Sequence, residues 1–201
     1  MKLPDAAHAS RPWRIHQLAP DFDLEDVWQL PWRGGPHDFG GLVSMIVAQD
    51  VSRSSSRAVR WLFAIRFELG RLLGWDDRSA ATEAGRATLR GRLPVDLRAT
   101  PVPEFAALPF TSLYLLDDEF AAETANRTMH GVMHIGWVAD GVGGFHGQMA
   151  VLVKPNGLLG AAYMATIRPF RRLIVYPALM GQIERAWRRR TRAARREGVP
   201  A

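Results

Sequence analysis

The sequence predicts one α+β domain in which helices cover an antiparallel sheet. Three observations carry this expectation. An apolar stripe of helical period runs from Ser56 to Leu73. Period-two alternation runs from Thr111 to Val153, broken by turn residues. A helix-forming stretch then follows from Leu158 towards the C-terminal arginines. The 201 residues suffice for one full core, and a composition of 47% hydrophobic and 23% charged residues excludes wholesale disorder. The absence of cysteine excludes disulfides, thiolate metal sites and cysteine nucleophiles together.

Residues 1–40 are rich in Pro, Trp, Asp and Gly. Trp13 to Leu18 predicts a short strand. Leu24 to Leu30 predicts a short helix, with Asp23 as N-cap and Pro31 at its end. Trp13, Phe22, Trp28, Trp32 and Phe39 are too many aromatics for a solvated arm, so this segment is expected to pack on a body spanning residues 41–190. The helix over Ser56–Leu73 has serine caps before it and Gly74 at its C′ position. Asp76 to Pro109 reads as irregular.

From Thr111 the pattern is of strands. Leu113–Leu116 is a short apolar run closed by Asp117-Asp118-Glu119. Phe120–Ala139 alternates as one strand, with Met129, Met133, Ile135 and Trp137 on one face and Thr128, His130, Val132 and His134 on the other. Asp140 to Gly144 signals a turn, and Phe145–Val153 alternates again, giving a two-stranded antiparallel unit. Helices are expected over Leu158–Ile167 and about Phe170–Arg190, with Pro169 and Pro177 breaking or kinking them. Residues 191–201 form a basic tail.

That tail explains the net charge of +6. Arg185 to Ala201 holds seven arginines against Glu197, and without that stretch basic and acidic residues are equal in number. Arginines there suit the negative end of a helix dipole, so a nucleic-acid partner is not expected. Anionic-surface binding through the tail is kept as a third functional class, behind small-molecule binding and catalysis. The first residues lack an apolar h-region, and no charge-free stretch reaches the roughly 20 residues of a membrane helix. A cytoplasmic location is expected. Oligomeric state is not legible.

Several residues could carry chemistry. His130 and His134 on one strand lie about 13 Å apart in backbone rise, too far to share a metal ion, so no metal and no cofactor is expected. Two partly exposed histidines on a polar face is the simpler reading. Gly141, Gly143, Gly144 and Gly147 do not satisfy a dinucleotide fingerprint, and no serine sits in a nucleophile elbow. Carried backwards, the phase of Met129 and Met133 places Glu123 and Arg127 on the apolar face, where paired charges could orient a ligand or act in acid–base catalysis. A bulge near Ala125-Asn126 would instead swap the phase. Tyr163 and Arg168 could meet the two charges from the terminal helices.

The segments "ETANRTMHGVMHIGWV", "GQMAVLVKPNGLLGAAYMATIRPF" and "LIVYPALM" resemble an uncharacterised bacterial family of unknown function. That family is similar to the SRPBCC superfamily of START-like carriers and polyketide cyclases. The likeness runs from about Leu113 to Trp187, and more loosely through "HDFGG", "FELGRLLGWDD" and "RLPVDL" upstream. It implies a helix-grip fold, with a curved antiparallel sheet around a long C-terminal helix and a cavity between them. Two prolines interrupting that helix are a departure from the pattern. The expected function is binding of an apolar or polyketide-like small molecule, lined by Met129, Met133, Trp137, Met149, Tyr163, Met164 and Arg168. The alternative is a cyclase-style enzyme using Glu123, Arg127, His130, His134 and Tyr163.

Overall fold

The computed structural model describes residues 1–48, 88–126, 128–170, 173 and 176–196; for 159, 163, 167, 168, 170 and 193–196 it describes the backbone alone. The predicted helix over Ser56–Leu73 therefore lies outside the described residues, as does Arg127. The chain runs β1 (Lys2–Leu3), α1 (Ala6–Ala9), α2 (Ile15–Leu18), β2 (Asp23–Gly34) and α3 (Phe39–Val47). A 3₁₀ turn (Leu89–Arg92) and α4 (Val95–Arg98) lead to β3 (Thr111–Leu115), β4 (Glu119–Ala125), β5 (Met129–Ala139) and β6 (Phe145–Pro155). Helices α5 (Gly157–Phe170) and α6 (Tyr176–Arg196) follow.

The six strands form one antiparallel sheet in the order β1-β2-β6-β5-β4-β3, so the architecture is α+β as predicted. Both faces are covered. Trp13, Ile15, Leu18, Phe22, Leu89, Leu93 and Leu97 pack on one face, against Val27, Tyr114, Ala121, Val132 and Leu152. Helices α3 and α6 pack on the other, with Phe39, Leu42, Val43, Tyr176 and Ile183 against Leu30, Trp32, Phe120, Ile135, Trp137 and Met149.

Leu24 to Leu30, predicted as a helix, lies within the strand β2 (Asp23–Gly34). As a strand, β2 buries Val27 on one face and Leu30 and Trp32 on the other while pairing with β6. Each such burial is worth about 1.5–3 kcal/mol, against helix-propensity differences of at most about 0.7 kcal/mol per residue. Pro31 is tolerated because it falls in the register break between Gln29 and Arg33, where no ladder donor is required. Residues 13–18, predicted as a strand, lie on a face of the sheet with no edge to pair with; they form the single helical turn of α2 instead.

The stretch 120–139 is two strands rather than one. Asn126 reverses the chain, its Oδ1 accepting from the Thr128 N–H (2.9 Å), the Thr128 hydroxyl (2.8 Å) and the Met129 N–H (3.0 Å). The β5–β6 turn is the one predicted: Asp140 Oδ1 accepts from the Val142 and Gly144 N–H groups, and Gly141 and Gly143 take φ values of +83° and +90° that side chains disfavour. Pro177 does not break α6. It is that helix's second residue, where a backbone N–H has no intrahelical partner.

Candidate functional site

The hairpin turn at Asn126 decides where the charged residues go. Alternation cannot be carried through a chain reversal, so Glu123 does not share the face of Met133 and Trp137. It lies with His130 on the opposite face. The histidine face is also not partly exposed: residues 1–22 and 89–98 cover it, and His130, His134, Glu119 and Glu123 are all buried. The cover was invisible to strand alternation, which reports two faces but not what lies over them.

Two carboxylate–imidazole pairs result. His130 Nε2 is 2.7 Å from Glu123 Oε2, and His134 Nε2 is 3.0 Å from Glu119 Oε2. Both pairs use the same diagonal across the β4–β5 ladder, in which Glu123 stands opposite Val132 and Glu119 opposite Gly136. Glu123 also accepts the Leu89 N–H (2.9 Å), and the ring of Phe22 stands edge-on to His130.

The second pair extends further. His134 Nδ1 is 3.0 Å from His8 Nε2, and both Glu119 oxygens accept the backbone N–H of Arg14, at 2.9 and 3.1 Å. Burial, then the neighbouring His134, His16 and Arg11, lowers the pKa of His8 to about 3; burial, then His16, lowers that of His134 to about 3. Both imidazoles are therefore neutral at ordinary pH. Burial raises the Glu119 pKa, opposed by the Arg14 N–H. Tyr114 sits close enough to Glu119 to interact with it but short of hydrogen-bond geometry, and burial pushes its phenol well above the ordinary range.

Trp13 closes the site from the N-terminal segment. Its ring is 5.2 Å from that of His134 and lies directly over Gly136, where a Cβ would come within 2.7 Å of the indole. Gln148 on β6 donates weakly to the Ala7 carbonyl (3.4 Å), beside His8.

The residues expected to line a cavity sit on the other face. Met133, Trp137 and Met149 lie in the layer under α3 and α6. Met129 shares their side of β5, and Met164 is buried on α5. Of Tyr163 and Arg168 only the backbone, in α5, is described. An open groove of about 550 Å³ lies elsewhere, lined by Thr88, Arg90, Leu93, Arg98, Val102 and Leu113 among others. Among the described residues no group of three or more His, Asp or Glu is placed to hold a metal ion. Nor is any described helix long and apolar enough to cross a membrane.

Sequence reasoning missed His8, Trp13, Tyr114, Glu119 and Gln148. One signal could have found Glu119: the spacings Glu119-x₃-Glu123 and His130-x₃-His134 mirror each other about Asn126, as two pairs on one hairpin must.

The sequence profile of a family described as protein of unknown function (DUF2867) matches residues 18–178, most of the chain. The chain belongs to the DUF2867 family. No curated protein and no solved structure matches it. The DUF2867 match takes in both Glu–His pairs and the whole of β2 to β6. His8, Trp13 and Arg14 precede it, so in this DUF2867 protein the groups completing the Glu119–His134 site come from outside the matched stretch.

Proposed function

We propose that this DUF2867 protein is a binding module that holds an apolar, polyketide-like small molecule between its sheet and its C-terminal helices. The reading takes up the helix-grip, SRPBCC-like arrangement: β2 pairs with the last strand, β3 to β6 form a meander, and α6 runs against β2. The observation that carries it is a pair of buried indole N–H groups with no acceptor, those of Trp28 and Trp32, on the face under α6. Trp28 packs on Tyr176 at 5.0 Å and Trp32 on Trp187 at 5.3 Å, with the Arg190 guanidinium 5.5 Å over the Trp32 ring. A buried donor left unpaired costs about 1–3 kcal/mol, which a ligand's carbonyl or ether oxygen would offset.

Met45, Met133 and Met180 are half-buried on the same face, and thioether side chains adapt to ligands of varied shape. Glu123, His130 and His134 are on the far side of the sheet, so three of the residues a cyclase-style reaction would draw on do not reach this face. That separation favours binding over catalysis there. Native mass spectrometry of gently purified protein is expected to show a carried organic molecule, and Trp28→Phe to weaken its retention about threefold or more, as loss of one hydrogen bond does. Protein that carries nothing and takes up no apolar probe would overturn the reading.

A further inference from the structure

Six buried side-chain polar atoms among the described residues lack a hydrogen-bond partner, and four of them surround the Glu119–His134–His8 chain: His8 Nδ1, Trp13 Nε1, Tyr114 Oη and Gln148 Oε1. Native proteins rarely leave such groups unpaired, so a cluster of them points to something polar that binds there. The direction of each proton follows from the geometry. Glu119 accepts the Arg14 N–H at both oxygens, so it acts as an acceptor, and His134 must present Nε2–H to it. A neutral His134 then has a lone pair on Nδ1, which accepts a hydrogen bond from the His8 Nε2–H. A neutral His8 is left with a bare lone pair on Nδ1, fully buried and with no partner.

The four unpaired atoms divide by chemistry. His8 Nδ1 and Gln148 Oε1 accept; Trp13 N–H donates; the Tyr114 hydroxyl does either. A charged ligand would meet no opposite charge among them. A neutral hydroxyl group, which both donates and accepts, suits the set. The rings of Trp13, His8 and His134 pack on one another with centroids 4.9–6.3 Å apart, so the surroundings of the unpaired atoms are aromatic, as suits an aromatic hydroxyl compound.

We propose that this face of the sheet carries a second site, distinct from the one under α6, which binds a small neutral phenol-like hydroxyl compound with His8 Nδ1 as the acceptor of its hydroxyl proton. Glu119 and His134 are positioning residues that hold His8 in the accepting tautomer. They also give the proton a path. If it transfers, the ligand O–H bond breaks and a His8 Nδ1–H bond forms; the His8 Nε2 proton passes to His134 Nδ1, and the His134 Nε2 proton to Glu119. The ligand becomes a phenolate, and Glu119 a carboxylic acid. Access runs through α1 and α2, single helical turns too short to be cooperative alone, where half-buried His16 stands edge-on to His8 at 4.8 Å.

The test is nitrogen NMR of the full chain with ¹⁵N-labelled histidine, using phenol as the probe. The expected result is a His8 ring protonated on Nε2 alone, whose Nδ1 resonance moves saturably with phenol. Trp13→Phe, which keeps the wall and removes the donor, should weaken that titration about three- to tenfold. Glu119→Gln should do the same while changing the His134 tautomer signature, which a merely structural role would not do. A His8 protonated on Nδ1, or a resonance that phenol leaves in place because the site holds only water, overturns the proposal. Neither result bears on a molecule carried under α6, so the two sites fail separately.

Discussion

At the scale of single residues, the histidines make the protein sensitive to acid. His8 and His134 have folded pKa values of about 3, far below the ordinary 6.5, because burial disfavours the imidazolium. Between those limits the unfolded chain binds more protons than the folded one. Stability therefore falls as pH drops from about 6.5 towards 3, by up to about 1.4 kcal/mol per pH unit for each histidine. Glu119 works in the opposite sense: its raised pKa contributes stability that is lost as pH rises through the folded value. His8→Phe leaves Glu119 in place and removes one titrating imidazole. Its denaturant midpoint should vary less between pH 6.5 and 4 than that of the parent, and an unchanged pH slope would mean that His8 is charged in the folded protein.

At the scale of elements, the contact between the N-terminal segment and the sheet is set by a missing side chain. Gly136 lets the Trp13 indole lie against β5, in the space a Cβ would need. Gly136→Ala forces Trp13 outward and should cost about 1–3 kcal/mol, as overpacking of a close contact does. Pairing it with Trp13→Leu should recover part of that loss, because the smaller side chain restores the room. Denaturant unfolding of the two single variants and the double variant measures the coupling; strictly additive losses would show that the two residues do not meet.

At the scale of the whole molecule, Asp21 ties three parts of the chain together. Its carboxylate takes Arg92, the last residue of the 3₁₀ turn, at 2.5 Å and Lys154 on β6 at 2.8 Å, and these contacts hold its pKa well below the usual carboxylate range. A lowered carboxylate pKa contributes stability above about pH 4 that is lost as pH falls through the folded value. All three side chains are about a third or more exposed, so the contribution is below about 1 kcal/mol and screened by salt. Asp21→Asn should shift thermal unfolding slightly at pH 7 and low salt, and not at all in 1 M salt. A salt-independent loss would place the effect in packing. Within the basic C-terminus, Arg188 pairs with Glu184 one turn earlier and Arg190 with Asp38.

Periodicity by itself determined the strands β3 and β6, the strand character of 120–139 though not its division at Asn126, the turn before β6 and the two C-terminal helices. Their signals are local: alternation, glycine and aspartate at a turn, and helix-forming runs bounded by Pro-Asn-Gly. It also placed Met133, Ile135 and Trp137 on one face and His130 and His134 on the other. Only the tertiary structure decided what those faces mean. β2 is a strand because β6 offers it a ladder and both cores receive its side chains, outweighing weak local preferences. Glu123 joins the histidines because the chain reversal at Asn126 resets the phase, and phase is a property of one strand alone. His8 reaches His134 across 126 residues of sequence, and no spacing rule records a contact made by a segment folding back over a sheet face.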